Sequence, residues 1–473
     1  MSANIENKKI KNIHSTKDSL LSKNSDWKDF SGIRNFFIFL VVILIIQNFL
    51  ESSINYGIVD TLQYIYISLW NTSIQAKDSL LLLLSSNLTI FSVYFLELFL
   101  SKKWIPFKLA ILLYLMVLVI HLLLPFFVLF KTKDNLFFVI FSMACLVAEG
   151  MKLFSYAHVN YCCRYLLLNR GNKCDDKLLA EEDIQDDCVK KKLPEEEEEN
   201  VNENTCNNEN KEITEDESPQ DNLHTSKDKN FSPFILEIPE NHLELYPKNL
   251  TIKNLYYFIM APTLCYELDY PVIPKRRWSL ILNHLIEFIS LVYVYIALCK
   301  NCIPILAKME KQNQFLTFFQ LCIPTAIIYL IGFYIYFHAY LNLLGELMKF
   351  SVREFYGPIW NSYSILDYWR NWNKRFSQWC KRHLYIPLIK LGWTKFWAQQ
   401  AVFLLSDFFH AYAYYFAFKK ILIGGMLTQP LFGRILERII GRGRCGNIFF
   451  WFYIIFTHAG ASILLYECFN KLS

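Results

Sequence analysis

Residues 107–130 read FKLAILLYLMVLVIHLLLPFFVLF, an apolar run in which Lys108 and His121 are the basic side chains. A helix of this length crosses the roughly 30 Å hydrocarbon core of a bilayer. Eight further apolar runs flank it. The nine predicted segments lie near residues 33–50, 79–100, 107–130, 136–160, 278–298, 314–340, 396–418, 421–433 and 448–469. The sequence therefore predicts an all-α, polytopic membrane protein with about nine transmembrane helices.

The composition supports this fold class. Of 473 residues, 53% are hydrophobic and 19% are charged, with 40 Phe and 28 Tyr. These values exclude a soluble multidomain protein, a disordered chain and a secreted disulfide scaffold. The eighth segment is short and contains Gly424, Gly425 and Pro430, which predicts a re-entrant segment or one that lies against other helices. The polar first 30 residues lack a signal-peptide core, so we expect the first membrane segment to direct targeting.

The charge is unevenly distributed. Residues 173–221 hold 19 Asp and Glu and six Lys, including Glu195 to Glu199 in a row. Such a composition is typical of disorder. The rest of the chain carries 42 Lys and Arg against 24 Asp and Glu. That excess fits the positive-inside rule, and an attraction for an anionic substrate remains a second interpretation.

These features divide the chain into four predicted regions. They are a cytosolic tail (1–32), four transmembrane helices (33–168), an acidic disordered cytosolic loop (169–245) and a catalytic membrane core (246–473). Basic residues crowd the tail, the long loops and the start of the last segment, which predicts a cytosolic N-terminus and a lumenal C-terminus. The sequon at Asn71 falls in a predicted lumenal loop.

The predicted cytosolic loop 350–395 is unusually aromatic. It contains five of the chain's Trp residues together with many Tyr and Phe. An ordinary connecting loop is less aromatic, so we predict amphipathic helices that lie in the membrane interface. A lid that binds substrate over the membrane domain is a second and compatible interpretation.

Polar side chains inside membrane segments are candidate functional residues. His121 stands alone among Leu and Ile, which indicates a packed histidine with a partner. His410 follows Ser406 and Asp407 on one helical face, where a carboxylate can orient an imidazole. Catalysis and a structural polar contact both fit this cluster. The 13 Cys are scattered, and the CxxC at Cys299 has no second pair at metal-binding spacing, so no metal site is predicted.

Five motifs carry a family resemblance. FYGPIWN at 355–361 resembles the F-Y-x-D-W-W-N signature of sterol and diacylglycerol acyltransferases, in the membrane-bound O-acyltransferase superfamily. YWRNWN at 368–373 and WCKRHLYIP at 379–387 are similar to the block that follows it. FFHAY at 408–412 resembles the family's F-F-H-E-Y. APTLCYELDYP at 261–271 is close to the diacylglycerol acyltransferase form.

The resemblance implies roles for individual residues. His410 matches the catalytic histidine and Asn373 the second active-site residue, while Phe355, Tyr356, Trp360 and Asn361 match the signature. The residues implied to line the reaction chamber on the acceptor side are Gln429, Asp407 and His458. The implied acyl-CoA-binding residues are Trp369, Arg370, Asn371, Trp372, Asn373, Lys374, Arg375, Phe376, Ser377, Tyr385, Lys395 and Ser406.

The chain also departs from the family pattern. Pro358 and Ile359 replace an Asp and a Trp of the signature, Ala411 replaces the Glu after the catalytic histidine, and His458 replaces a Gln. Asp407 stands where the family usually has a small residue. We expect Asp407 to supply the missing polar contact, to the imidazole or to the acceptor. The alternative is that it faces a water-filled substrate tunnel.

The expected activity is transfer of an acyl group from acyl-CoA to diacylglycerol in the endoplasmic reticulum membrane, which makes triacylglycerol. Acyl-CoA is then a substrate, and no cofactor and no nucleic-acid partner are expected. The resemblance further implies a homodimer or homotetramer. One rival is a sterol or long-chain alcohol acceptor. Another is a non-catalytic lipid-binding relative, which the altered signature favours and the retained His410 and Asn373 oppose.

Overall fold

A computed structural model describes residues 76–134, 136–188, 234–307, 314–420, 424–441 and 443–470. The first predicted segment (33–50), Asn71 and most of the acidic stretch lie outside these residues. The long helices are α1 (Lys77–Ser101), α2 (Phe107–Leu129), α3 (Leu136–Cys188), α6 (Trp278–Ala307), α7 (Gln314–Phe333), α12 (Lys395–Phe418) and α14 (Arg444–Asn470). The prediction of an all-α architecture is confirmed for the described residues.

Short helices connect the long ones. They are α4 (Glu240–Leu243), α5 (Ile252–Met260), α8 (Leu341–Leu347), α9 (Ile365–Trp372), α10 (Lys374–Cys380), α11 (Ile386–Lys390) and α13 (Gln429–Ile440). A π-helical stretch, Tyr334–Tyr340, joins α7 to α8, and a second, Lys381–Tyr385, joins α10 to α11. Most of the aromatic loop 350–395 is thus helical, as predicted.

Seven of the described stretches are long and apolar enough to cross a membrane. They belong to α1, α2, α3, α6, α12 and α14, together with a continuous stretch from α7 through the π-helical residues to α8. Helix α1 packs against α2 and α3, α7 packs against α6 and α14, and α12 packs against α3. Large apolar side chains on α2 and α6 stay exposed, as expected of surfaces that face lipid.

The predicted eighth segment does not form a helix of membrane length among the described residues. Residues 424–428 form turns, and α13 begins at Gln429 and has 12 residues. Gly424 has φ +97°, a conformation that interrupts a helix. Helix α13 packs on α9 through Gly433, where an added Cβ would lie 3.3 Å from Ile365 Cβ. A count of nine crossings is therefore not confirmed.

The predicted disordered region 169–245 is too wide at both ends. Helix α3 continues to Cys188. At the other end, Ile235 is buried, and Leu243 belongs to a buried core with Val159 of α3 and Phe258 of α5. The prediction of disorder rested on the acidic composition of residues 173–221, whereas the apolar residues near position 240 pack against α3.

Candidate active site

Helix α12 carries His410. It begins after Thr394, whose hydroxyl accepts a hydrogen bond from Trp397 N, and such a cap favours a helix start at this position. His410 Nδ1 lies 2.7 Å from the carbonyl oxygen of Ser406, one turn earlier. A carbonyl can only accept a hydrogen bond, so Nδ1 carries the proton in the neutral ring. The second nitrogen, Nε2, then presents a lone pair.

His410 is open rather than enclosed. Its side chain belongs to an exposed residue, and among the described residues its Nε2 has no hydrogen-bond partner. A neutral imidazole with a fixed tautomer and a free Nε2 is the form required of a general base. The geometry of His410 is therefore suited to removing a proton from a bound hydroxyl.

Aromatic rings lie beside His410 and between α7 and α14. The ring of Tyr414, one turn after His410, has its centroid 6.3 Å from the imidazole. Tyr329 of α7 contacts His458 of α14 at 3.6 Å between centroids and stacks on Trp372 at 4.9 Å. We call Tyr329, His458 and Trp372 the Tyr329 group.

Gln429 lies at the first position of α13. Its Oε1 accepts a hydrogen bond of 2.7 Å from the Tyr453 hydroxyl of α14, and its Nε2 donates to Gly425 O at 3.1 Å. Tyr453 packs against the same hydrophobic core as Tyr329. Gln429 therefore borders the same aromatic group and is fixed at both ends of its amide.

Asn373 lies between α9 and α10. Its Oδ1 accepts a hydrogen bond of 3.0 Å from Phe376 N and so caps α10. The cap does not use Nδ2, the donor end of the amide. The signature segment is tied to this junction, because Lys374 N donates to Phe355 O at 3.0 Å and Gly357 N donates to Asn371 O at 2.8 Å.

The signature is also held by contacts with two side chains, those of Asn371 and His338. A Cβ at Gly357 would come within 2.3 Å of Asn371 Oδ1, so this close approach requires glycine. The Tyr356 hydroxyl lies 2.8 Å from His338 Nδ1 in the π-helical stretch. Pro358 and Ile359, which replace two signature residues, therefore lie in a segment that contacts Asn371 and His338.

The basic residues of the predicted acyl-CoA region differ in accessibility. Arg375 is buried, donates to Val352 O at 3.1 Å and lies over the Phe355 ring; burial lowers its pKa. Lys374 pairs with Glu354, and this hydrogen bond and charge lower the Glu354 pKa. Arg370 and Lys395 are exposed. Cations that could meet the phosphates of a coenzyme therefore include Arg370 and Lys395 rather than Arg375.

The remaining predicted residues occupy varied positions. Trp369 is half-buried, and its Nε1 is buried without a hydrogen-bond acceptor among the described residues. Such a donor is rare in proteins and is suited to a ligand acceptor. Trp360 and Asn361 are exposed. Phe376, Ser377 and Tyr385 are half-buried on or beside α10.

The prediction that Asp407 holds the imidazole is wrong. Its carboxylate oxygens accept hydrogen bonds from Gly424 N at 2.8 Å and Met426 N at 3.0 Å. The residue is 3% exposed, so the alternative of a water-filled tunnel is wrong as well. Asp407 and His410 lie one turn apart, but the carboxylate points to the loop that follows α12.

Sequence reasoning also missed a closed histidine pair. His383 Nδ1 lies 2.8 Å from His158 Nδ1, and His383 Nε2 lies 2.8 Å from the Ser155 hydroxyl. His158 Nε2 lies 2.7 Å from Phe234 O. Burial, with the neighbouring His158 and Arg382, lowers the pKa of His383 to about 2. The partners lie more than 70 residues apart, so no local pattern indicates this network. Tyr329, Tyr414 and Tyr453 were missed too, because tyrosine is common throughout the chain.

Comparison with known proteins assigns the fold to a family. The chain matches the membrane-bound O-acyltransferase family over residues 109–468. It is 38% identical over 232 residues to a protein named diacylglycerol O-acyltransferase 1 from Bos taurus, covering 47% of each chain. The identity to the protein of that name from Homo sapiens is 36% over 225 residues, 45% of this chain and 46% of the relative.

A more distant relative of the same name, from Dictyostelium discoideum, is 29% identical over 259 residues, 52% of this chain and 42% of the relative. The aligned part spans about half the length of these relatives. The family match covers most of the described structure, including α12, α13 and the Tyr329 group. The chain belongs to the membrane-bound O-acyltransferase family.

Proposed function

We propose that this protein transfers an acyl group from acyl-CoA to the 3-hydroxyl of 1,2-diacylglycerol and makes triacylglycerol. The observation that carries the proposal is His410, an exposed imidazole on a membrane helix whose Nδ1 lies against Ser406 O and whose Nε2 has no partner among the described residues. The relatives' name, diacylglycerol O-acyltransferase 1, supplies the acceptor and the reaction class.

In the proposed reaction, His410 Nε2 accepts the proton of the acceptor hydroxyl as its oxygen attacks the thioester carbonyl. A general base at this step contributes about 10²–10⁴-fold in rate. The new C–O bond forms, the C–S bond breaks, and the coenzyme A thiolate takes the proton from the imidazolium. The proton and the electron pair therefore balance without a cofactor or a metal.

Negative charge develops on the carbonyl oxygen during attack, and a donor that faces it lowers the barrier. Asn373 Nδ2 is the proposed donor, since capping of α10 uses the other end of that amide. The buried Nε1 of Trp369 is a second donor in the same segment and fits the acyl-CoA thioester or its neighbouring amides.

The substrates differ in solubility, which fits a site on membrane helices. Coenzyme A is a polyanion, and we assign it to the cytosolic face, where Arg370 and Lys395 are exposed. The acyl chain and diacylglycerol enter from the bilayer, past Gln429 and His458. The proposed location is the endoplasmic reticulum membrane, with a cytosolic N-terminus and a lumenal C-terminus. A homodimer or homotetramer is the proposed assembly.

The test is expression in a yeast strain that makes no neutral lipid, followed by chromatography of products from labelled oleoyl-CoA. We expect labelled triacylglycerol from the wild-type protein and none from His410→Ala at equal membrane abundance. Labelled sterol or wax ester in place of triacylglycerol would move the acceptor to a sterol or a long-chain alcohol. The absence of any labelled ester would favour the alternative of a non-catalytic lipid-binding protein.

A further inference from the structure

The carboxylate of Asp407 is buried, and each of its oxygens accepts a hydrogen bond from a backbone amide. It is 3% exposed, and its two oxygens accept hydrogen bonds from the amides of Gly424 and Met426, two residues apart in the loop after α12. Hydrogen bonds from amides to an ionised carboxylate are roughly twice as strong as neutral ones. Their partners lie 17 and 19 residues away in sequence, so the contact closes the loop against the middle of α12.

The same loop holds Gln429. Gly425, between the two amides that bind Asp407, offers its carbonyl to Gln429 Nε2 at 3.1 Å. Thr428 Oγ1 donates to Gly424 O at 3.2 Å and closes the turn. The far end of Gln429 is fixed by Tyr453 of α14. A continuous chain of hydrogen bonds thus runs from α12 through the loop to α13 and α14.

We propose that Asp407 is a positioning residue: it clamps the 424–428 loop and, through it, Gln429, on the acceptor side of His410. It acts through the loop and does not touch the imidazole or the acceptor. This inference rests on the proposed function, because it assigns Gln429 to the acceptor side.

The clamp predicts an effect on one substrate. Release of the loop displaces Gln429 and lets water approach, while the acyl-CoA segment around α9 and α10 keeps its own contacts. Water then competes with diacylglycerol for the thioester: its oxygen bonds to the acyl carbon, the C–S bond breaks, and fatty acid and coenzyme A are released. A residue with only a structural role would lower both reactions together.

The first experiment compares Asp407→Asn and Asp407→Ala with the wild-type protein. We expect kcat/KM for diacylglycerol to fall about tenfold or more, consistent with loss of charged hydrogen bonds. KM for acyl-CoA stays within about twofold, and the ratio of hydrolysis to transfer rises. A matched control is Asp134→Ala, because Asp134 also accepts a backbone amide, from Ser79 N at 2.6 Å at the start of α1.

Asp134→Ala should lower stability and leave that ratio unchanged. An equal fall in transfer and hydrolysis in the Asp407 variants, or a ratio like that of wild type, would overturn the clamp. The ratio of hydrolysis to transfer tests the clamp alone. The proposed function is tested separately, because it fails if the wild-type protein forms no triacylglycerol.

The second experiment changes the 424–428 loop itself and leaves Asp407 in place. Gly424 has φ +97° and no atom within 4 Å of a built Cβ, so Gly424→Ala strains only the backbone. We expect it to reproduce the Asp407→Ala phenotype, and the double variant to add little, since both break one unit. Gly392→Ala is the matched control, with φ +89° and equal space in the turn after α11.

A readout independent of activity completes the test. Hydrogen–deuterium exchange of the peptide that contains residues 424–430 should be about tenfold faster in Asp407→Ala than in wild type, because two amides lose their acceptor. Unchanged exchange there would contradict the clamp even if the protein proved inactive.

Discussion

Two membrane histidines in this protein have opposite surroundings. His121 of α2 is 3% exposed and has partners at both nitrogens, Thr89 Oγ1 at 2.9 Å and Leu146 O at 3.0 Å. His410 of α12 is exposed, and its Nδ1 is bound within its own helix. The prediction of a partnered, packed His121 is confirmed. A histidine whose hydrogen-bonding capacity is used up stabilises the fold, whereas one with a free nitrogen can perform chemistry.

The same contrast extends to the helices around them. In the first three helices, Glu97 pairs with Arg164, and Lys152 donates to three carbonyls at the end of α5. Glu97 and Lys152 are buried, Arg164 is half-buried, and all three have partners, as the low dielectric of a membrane requires. In the second half of the chain, Tyr414 lies beside His410, and the Gln429 amide is hydrogen-bonded to Tyr453 of α14. The polar groups of the first region are closed by their own partners, whereas His410 Nε2 has no partner among the described residues.

The largest expected effect is at His410. His410→Gln keeps a donor for Ser406 O but cannot take up a proton, so we expect acyl transfer to fall about 100-fold or more. Thermal stability should stay close to wild type, because the side chain is exposed. Product formation per folded protein is the measurement. A variant that is inactive because it is unfolded would instead show a lowered melting temperature.

The converse is expected for His121. His121→Ala leaves the Leu146 carbonyl without its donor and opens a cavity beside Gly150. We expect about 1–3 kcal/mol less stability and acyl transfer within threefold of wild type per folded molecule. Thermal melting in detergent with parallel activity measurements checks this. A loss of activity as large as that of His410→Gln, with unchanged stability, would contradict the structural role assigned to His121.

His383 adds a third case, closed like His121. Its pKa in the folded protein is lowered to about 2 from 6.5 in the unfolded chain. The neutral ring therefore stabilises the fold fully above pH 6.5, and this contribution is lost as the pH falls below that value, at about 1.4 kcal/mol per pH unit. Melting temperatures of wild type and His383→Gln between pH 8 and 5 should converge as the pH falls. Parallel curves would show that His383 does not titrate on unfolding.

The smallest effect is expected for the acidic stretch. Deletion of residues 190–221 removes Glu195 to Glu199 and leaves Phe234, which contacts His158. Because this composition buries little apolar surface, we expect activity and melting temperature to stay within about twofold and 2 °C of wild type. The control deletion, residues 234–238, removes buried Ile235 and should destabilise the protein.

Sequence alone predicted the features that depend on local patterns. The apolar runs gave the long helices, and the predicted run 79–100 corresponds to α1, Lys77–Ser101. The position of His410 on a membrane helix followed from the same periodicity. The partner of Asp407 did not, because a carboxylate can bind any amide that folding brings near it. The end of α3, the packing of residues 234–250 and the His158–His383 pair likewise depend on contacts between distant segments.

The most direct measurement is the initial rate of triacylglycerol formation by purified His410→Ala, with and without added imidazole. Without imidazole, we expect a rate below about 1% of wild type. Added imidazole should raise that rate, because a small base can occupy the exposed position and accept the hydroxyl proton, and it should leave wild type unchanged. A rate above about one-tenth of wild type without imidazole would contradict the assignment of His410 as the base.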